Sequence, residues 1–366
     1  MSKKYIYSLL AVLIIAATVL SACSPAAATQ APAKSLVGVI LPTKDEPRWL
    51  QDQAVFQKAG WEPLFSQGDS AKEKANVETL ISQGVKVIII CPQDATAAAA
   101  TADEARAAGV KIISYDRLIR DTASVDYYVT FDSFAVGAAW STYLIQQAGS
   151  TKGNPLYIYT GAATDNNAFI FFEGAWETIQ PKIADGTFVI ENSDKAVGLQ
   201  SNAKLTRDQE ATIIGQTTTN WDFAVAKTLA ESNLTKATTA QKGTVYILAP
   251  NDGTARSIAD AFGADKDVTK YFITGQDAEK ASVQYIIDGK QSMTVFKDVR
   301  TLAADAVTAA NAFLTGTAPT GTTTYNNGKV DVPAKPSAIV VVTKDNVKAA
   351  LIDSGYYQAS DFTGLP

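Results

Sequence analysis

From Ser35 onward, apolar residues fall in two alternating rhythms. Short continuous runs such as "LVGVIL" (36–41), "VKVIII" (85–90) and "VKIIS" (110–114) have the length and β-branched content of strands buried on both faces. Between them the period lengthens. "AKEKANVETLISQG" (71–84) carries Ala75, Val77, Leu80 and Ile81 at near-helical spacing and stops at Gly84, and "DATAAAATADEARAAG" (94–109) runs from Asp94 to Gly109 as a second helix. "WEPLF" (61–65) and "DYYVTF" (126–131) read as strands, and "SFAVGAAWSTYLIQQAG" (133–149) as a helix capped by Asp132 or Ser133. "GSTKGNP" (149–155) interrupts the alternation, which then restarts through "LYIYTG", "NAFIFFEGAWETIQPKI", "TFVIE", "DFAVAKTLAESN", "GTVYILAP", "GTARSIADAFG", "YFITGQD" and "MTVFK". A strong helix at 299–316 and a last strand at 338–343 follow.

A β-α-β-α order predicts an α/β fold with parallel sheets covered by helices on both faces. The restart predicts two doubly wound, Rossmann-like lobes with a cleft between their sheet edges. Parallel crossovers bring the carboxyl ends of the strands to one edge, where open α/β sheets bind ligands.

The amino terminus breaks this rhythm. Lys3 and Lys4 precede "LLAVLIIAATVL" and then "SAC", a pattern that predicts an export signal over 1–22, too short for a convincing membrane span. Leu20-Ser21-Ala22-Cys23 resembles a bacterial lipobox, making Cys23 the lipidated first residue of the mature chain; a plain signal peptide cut near Ala22 is the alternative. "SPAAATQAPAK" then reads as a flexible tether over 23–34. The chain is thereby expected to be exported and held at the cell membrane, facing the periplasm or the exterior.

Composition narrows the chemistry. The 366 residues are 46% hydrophobic and 19% charged, and the net charge of −5 becomes −7 once Lys3 and Lys4 leave with the signal. No basic footprint for nucleic acid is present. There is no histidine, which excludes Ser-His-Asp and Cys-His catalysis and every histidine-containing metal site. With Cys23 lipidated, Cys91 stands alone. No cofactor or metal is indicated.

Short polar clusters stand just after the predicted strands: Lys44, Arg48 and Trp49; Asp116 and Arg117; Asp165, Asn167 and Phe169; Asn251 and Asp252; Gln276 and Asp277; and Lys297. Asn220 and Trp221 stand ahead of a helix. Any single Asp or Asn at such a turn is more often only a cap, as expected for Asp94 and Asp132. Together, however, the clusters combine carboxylate acceptors, fixed cationic donors, amides and two tryptophans. Sugar hydroxyls both donate and accept hydrogen bonds, and the C–H faces of a pyranose pack on flat aromatic rings. Neither a Gly-rich loop nor a phosphate nest is seen. Composition alone leaves an amino-acid ligand open.

On the segments "LPTKDEPRW", "SYDRLIRD", "YYVTFDSFAVG", "DNNAFIFFEGA", "APNDG", "TGQDAE", "MTVFKDVRTLA" and "SGYY", residues 36–360 resemble the periplasmic sugar-binding proteins of ABC importers. The similarity is to the xylose-binding and multiple-sugar-binding branch of the ribose/galactose-binding type. Asn251, Asp277 and Lys297 match the spacing of that branch's sugar-contacting Asn, Asp and Lys. By the same matching, Arg48, Trp49, Asp116, Arg117, Asp165, Asn167 and Trp221 fall on sugar-contacting positions. Lys44, Phe169, Asn220, Asp252 and Gln276 are further candidates. The stretch 192–219 is longer than the family pattern, and Asn220 stands where multiple-sugar relatives have an arginine, so Arg207 is the alternative donor.

The resemblance implies a monomer that captures a monosaccharide (an aldose such as xylose, glucose, galactose or arabinose) without chemistry and delivers it to an ABC permease and its ATPase. It also implies a chain crossing three times between a lobe of 35–148 plus 299–316 and a lobe of 153–297 plus 325–366. A sensor role docking on a kinase or chemoreceptor is the alternative, and a carboxylate glycosidase using Asp116, Asp165, Asp252 or Asp277 is a weaker one.

Overall fold

The computed structural model describes residues 36–365. The expected signal, Cys23 and the tether lie outside the described residues.

The first half alternates as its hydrophobic pattern predicts: β1 (Val37–Leu41), α1 (Pro47–Lys58), β2 (Leu64–Phe65), α2 (Ser70–Gln83), β3 (Val87–Ile90), α3 (Ala98–Ala107), β4 (Lys111–Tyr115) and β5 (Tyr127–Phe131). β1 to β5 pair in parallel. Both faces are buried, which is why these strands read as unbroken apolar runs. Val37, Val39, Leu41 and Ile89 enter one core with Trp49, Phe56 and Tyr115, while Ile40, Ile88 and Ile90 enter the opposite one with Val77 and Leu80. α2 starts where Asp69 accepts the amide N–H groups of Ala71 and Lys72, and it ends at left-handed Gly84.

After β5 the chain leaves this sheet. α4 (Ser133–Ala148) packs its Val136, Trp140 and Leu144 against the second sheet's core, beside Leu156, Phe172 and Trp176. This corrects its expected place in the first lobe. An apolar helix joins the face that buries it, and the large aromatic residues of α5 (Asn166–Ala184) supply that face. The two helices approach closely, because Gly137 and Gly174 leave no Cβ between them.

The second sheet has the order β7-β6-β8-β9, with β6 (Asn154–Ile158), β7 (Phe188–Ile190), β8 (Gly243–Leu248) and β9 (Val268–Ile273), all parallel. Between β7 and β8 lie α6 (Asp194–Leu199), α7 (Arg207–Thr217) and α8 (Phe223–Lys236). The stretch 192–219, longer than the family pattern, thus holds two helices, opened by Ser193 and by a Thr206–Gln209 capping box. α9 (Asp252–Ala264) precedes β9, and α10 (Lys280–Ile287) and β10 (Thr294–Phe296) follow it.

α11 (Val299–Leu314) then returns to the first core through Leu302, Ala303, Ala306 and Ala310. β11 (Thr323–Asn326) and β12 (Asp331–Ser337) extend the first sheet, β12 pairing in parallel with β5 through Ala334–Tyr128 and Ser337–Phe131. This corrects the expectation that everything from 325 belongs to the second lobe. Pro333 and Pro336 hide this strand in the sequence, since proline cannot donate to a ladder. β13 (Val340–Val342) crosses back and pairs antiparallel with β10. The chain therefore passes between the sheets three times, after β5, β10 and β12.

Candidate functional site

The carboxyl ends of the parallel strands of both sheets face one cavity. Arg48 and Trp49 reach it from the first turn of α1, and Asp116 and Arg117 from the turn after β4. Across the gap stand Asp165 and Asn167 at the start of α5, Trp221 ahead of α8, Asn251 at the cap of α9, Gln276 and Asp277 after β9, and Lys297 after β10.

Asp116 shows how the fold fixes such a group. Its backbone is left-handed, with φ of 62°, which is costly for a residue with a Cβ. Its carbonyl oxygen accepts from Tyr128 Oη (2.7 Å), Thr130 Oγ1 (3.1 Å) and Asn167 Nδ2 (2.9 Å), and those bonds hold the turn. Trp221 (φ 60°) and Asp277 (φ 97°) are left-handed too, so strained backbone concentrates on the cavity wall.

The charged groups are buried and alternate in sign. Arg48 Nη2 donates to Asp116 Oδ2 at 2.7 Å, and its Nη1 lies 3.6 Å from Asp277 Oδ1 on the other side. Lys297 Nζ meets the same Asp277 oxygen at 2.8 Å, and Arg117 Nε meets Asp165 Oδ2 across the gap at 3.0 Å. Behind Arg48, the buried Asp52 lies 3.5 Å from its Nε and accepts from Tyr115 Oη. Burial pushes the Asp116 carboxyl up, but Arg48, Lys297 and Arg117 outweigh it and hold the group below its usual range. For Asp165, burial wins over Arg117 and raises the pKa.

Aromatic surfaces frame these charges. Trp49 lies under the guanidinium groups of Arg48 (4.4 Å) and Arg117 (5.4 Å). The Trp221 ring packs over Gly161, where an added Cβ would fall 2.1 Å from Cζ2. The buried indole Nε1 of Trp221 and Oε1 of Gln276 have no protein hydrogen-bond partner.

The cavity lining also contains Glu46 and Phe171, neither of which the polar clusters single out. Phe171 follows Asn167 by one helical turn, so helix spacing was the available signal. Glu46 stands in the quoted "TKDEPRW" beside Arg48, and burial pushes its carboxyl up to about 7 against the pull of Arg117.

Other candidates lie elsewhere. Phe169 sits in the second core under the Arg207 guanidinium, 3.3 Å away, and Phe171 takes the cavity position expected of it. Arg207 therefore stands off the cavity. Lys44 is exposed, 4.8 Å above the Phe65 ring. Asp252 turns inward to accept from the Glu279 N–H (2.8 Å) and Gln291 Nε2 (2.7 Å). Asn220 is exposed and lines an outer groove. Cys91 is buried, and burial pushes its thiol far up. Among the described residues no group of three or more His, Cys, Asp or Glu is placed to hold a metal.

A profile of the periplasmic binding protein domain matches residues 37–318. The multiple sugar-binding periplasmic protein SbpA of Azospirillum brasilense is 34% identical over 349 residues, 91% of this chain and 93% of that one. The D-xylose-binding periplasmic protein of Escherichia coli K12 is 29% identical over 321 residues, 86% of this chain and 88% of that one. A solved carbohydrate transporter solute-binding protein from Chloroflexus aurantiacus, in complex with D-glucose, superposes with a TM-score of 0.89 at 70% identity, covering 91% of this chain and 99% of that one.

Proposed function

The chain belongs to the periplasmic binding protein family, and from that premise we propose that it is an extracytoplasmic receptor for a monosaccharide aldose, with D-glucose the first choice and D-xylose the second. The observation that carries this reading is the convergence of charged, amide and aromatic side chains from both sheet edges on one cavity.

The chemistry of that lining suits a pyranose. Asp116, kept ionised by three cations, accepts hydrogen bonds only, while Arg48, Arg117 and Lys297 donate only; a hydroxyl can satisfy one of each. Asn251, whose Oδ1 already accepts from Thr254, keeps its Nδ2 as a donor, and Asn167 keeps a second Nδ2 hydrogen beside the bond it gives the Asp116 carbonyl. Trp49 and Trp221 give flat surfaces for the C–H faces of the ring, and Phe171 closes the apolar wall. Because the charges neutralise one another, a neutral sugar enters without leaving a lone buried ion. Periplasmic binding proteins are the standard example of hinge closure around a ligand. Here the crossings after β5, β10 and β12 would serve as that hinge, and closure would present the sugar to an ABC permease.

The lipobox at 20–23 supports a Cys23-linked lipid anchor with the 23–34 segment as tether. Nothing in the reading requires bond chemistry. The test is calorimetric titration of the mature chain, with Cys23→Ser, against D-glucose, D-xylose, galactose, arabinose, ribose and fructose. One-to-one binding of an aldose at about micromolar strength, roughly −8 kcal/mol, is expected. Silence across the panel, in protein shown to be folded and sugar-free, would overturn the monosaccharide reading.

A further inference from the structure

The inner cavity adjoins a second space. A groove opens outward from it, and Glu46, Arg117 and Trp221 line both. Beyond those shared residues the groove wall carries Gln67, Gln93, Asn220 and Phe223. Amides and an aromatic ring repeat, in milder form, the inner cavity's combination of hydrogen-bonding groups and flat apolar surface.

The groove is also built rather than incidental. Gln67 (φ 56°), Asn220 (φ 54°) and Trp221 (φ 60°) hold left-handed backbone along its wall. Non-glycine residues keep such conformations only where their surroundings impose them. Thr218 Oγ1 accepts from the Asn220 N–H at 3.0 Å, and Asp222 caps α8 through Ala224 and Val225, which sets Trp221 and Phe223 on either side of the cap. Phe223 is fixed against Gly253, where a Cβ would meet the ring at 2.0 Å. The groove therefore presents two aromatic side chains of set position at the outer end of the sugar cavity.

We propose that this groove is a second saccharide subsite, so that the protein accepts disaccharides whose terminal ring occupies the inner cavity and whose second ring lies between Gln67, Gln93 and Phe223. The inference rests on the monosaccharide reading of the inner cavity and extends its ligand class. The glycosidic bond passes the opening formed by Glu46, Arg117 and Trp221. Contacts in the outer subsite are fewer and wetter than in the inner one, so the second ring adds little affinity but is tolerated, whereas a fully enclosed site would exclude it.

The test is calorimetry of the mature protein with D-glucose and with glucosyl-glucose disaccharides of α-1,4, β-1,4, α-1,6 and β-1,6 linkage, each freed of monosaccharide by chromatography. At least one disaccharide is expected to bind within about tenfold of glucose. Phe223→Ala and Gln93→Ala, both outside the inner cavity, are expected to weaken that disaccharide at least about fivefold and to change glucose by less than about twofold. Thermal melts identify any variant that has failed to fold, and Gln93→Ala then stands as the second probe. Glucose binding with no disaccharide binding overturns the subsite and leaves the monosaccharide reading intact. Disaccharide binding unaffected by either substitution also overturns it. If neither glucose nor any disaccharide binds, both readings fall together.

Discussion

Arg117 is held by two carboxylates on different parts of the chain, Asp165 at 3.0 Å and Glu46 at 4.0 Å, and its side chain is 5% exposed. Arg117→Ala leaves Asp165 buried without its cation, which typically costs about 3–5 kcal/mol. The expected outcome is a lower urea midpoint and loss of aldose affinity of at least about tenfold; unchanged affinity in folded protein would remove Arg117 from the site. Glu46 gives a pH signature. A carboxyl raised from 4.5 to about 7 keeps its proton in the folded chain after the unfolded chain has lost it. Its stabilising effect is therefore full below about pH 4.5 and is lost as pH rises through about 7. Melting temperature should fall between pH 5.5 and 8.5, and Glu46→Gln should reduce that fall without abolishing it, because Glu73 (about 7) and Glu210 (about 8) titrate in the same direction. An identical fall in the variant would show that Glu46 does not titrate there. Polar clusters after strands are legible in the sequence because each is a short turn at a sheet edge. Phe169 and Phe171 are told apart only through Asn167, because both are apolar on one helix and the i, i+4 spacing from a cavity-facing Asn167 selects Phe171.

At the scale of elements, two glycines separate packing from binding. A Cβ on Gly137 would lie 1.8 Å from the Phe171 carbonyl oxygen, backbone that cannot move without shifting α5. Gly137→Ala is expected to destabilise the fold by about 1–3 kcal/mol in urea unfolding. A Cβ on Gly161 would instead strike the Trp221 ring, a side chain of the cavity wall rather than backbone. Gly161→Ala should cost less stability than Gly137→Ala and weaken aldose binding by about three- to tenfold, the worth of one aromatic contact. The opposite pattern, stability lost at Gly161 and kept at Gly137, would mean that these contacts are misassigned. Elements with a clean period are legible from sequence, as β1, β3, α2 and α11 show. α6 is not, because it is only six residues long, and α7 is not, because two of the four side chains it buries, Glu210 and Thr217, are polar and leave only Ile213 and Ile214 as an apolar signal. β12 is hidden by its two prolines.

For the whole molecule, the β-α alternation and its restart after 149 are enough to read two parallel sheets. Which helix covers which sheet is not legible, because α4 and β12 are placed by contacts with residues far away in sequence, α5 for one and β5 for the other. The consequence is a cavity whose walls come from both sheets and whose charges pair across it, Arg48 with Asp277 and Arg117 with Asp165. A ligand held there must touch both sides at once. The crystal structure of the protein with the aldose selected by titration tests this most directly. The expected result is one pyranose between Trp49 and Trp221, with hydroxyls within hydrogen-bond distance of Asp116 and Arg117 on one side and of Asp277 and Lys297 on the other. A sugar bound away from this cavity, or held by residues of one sheet edge alone, would contradict it.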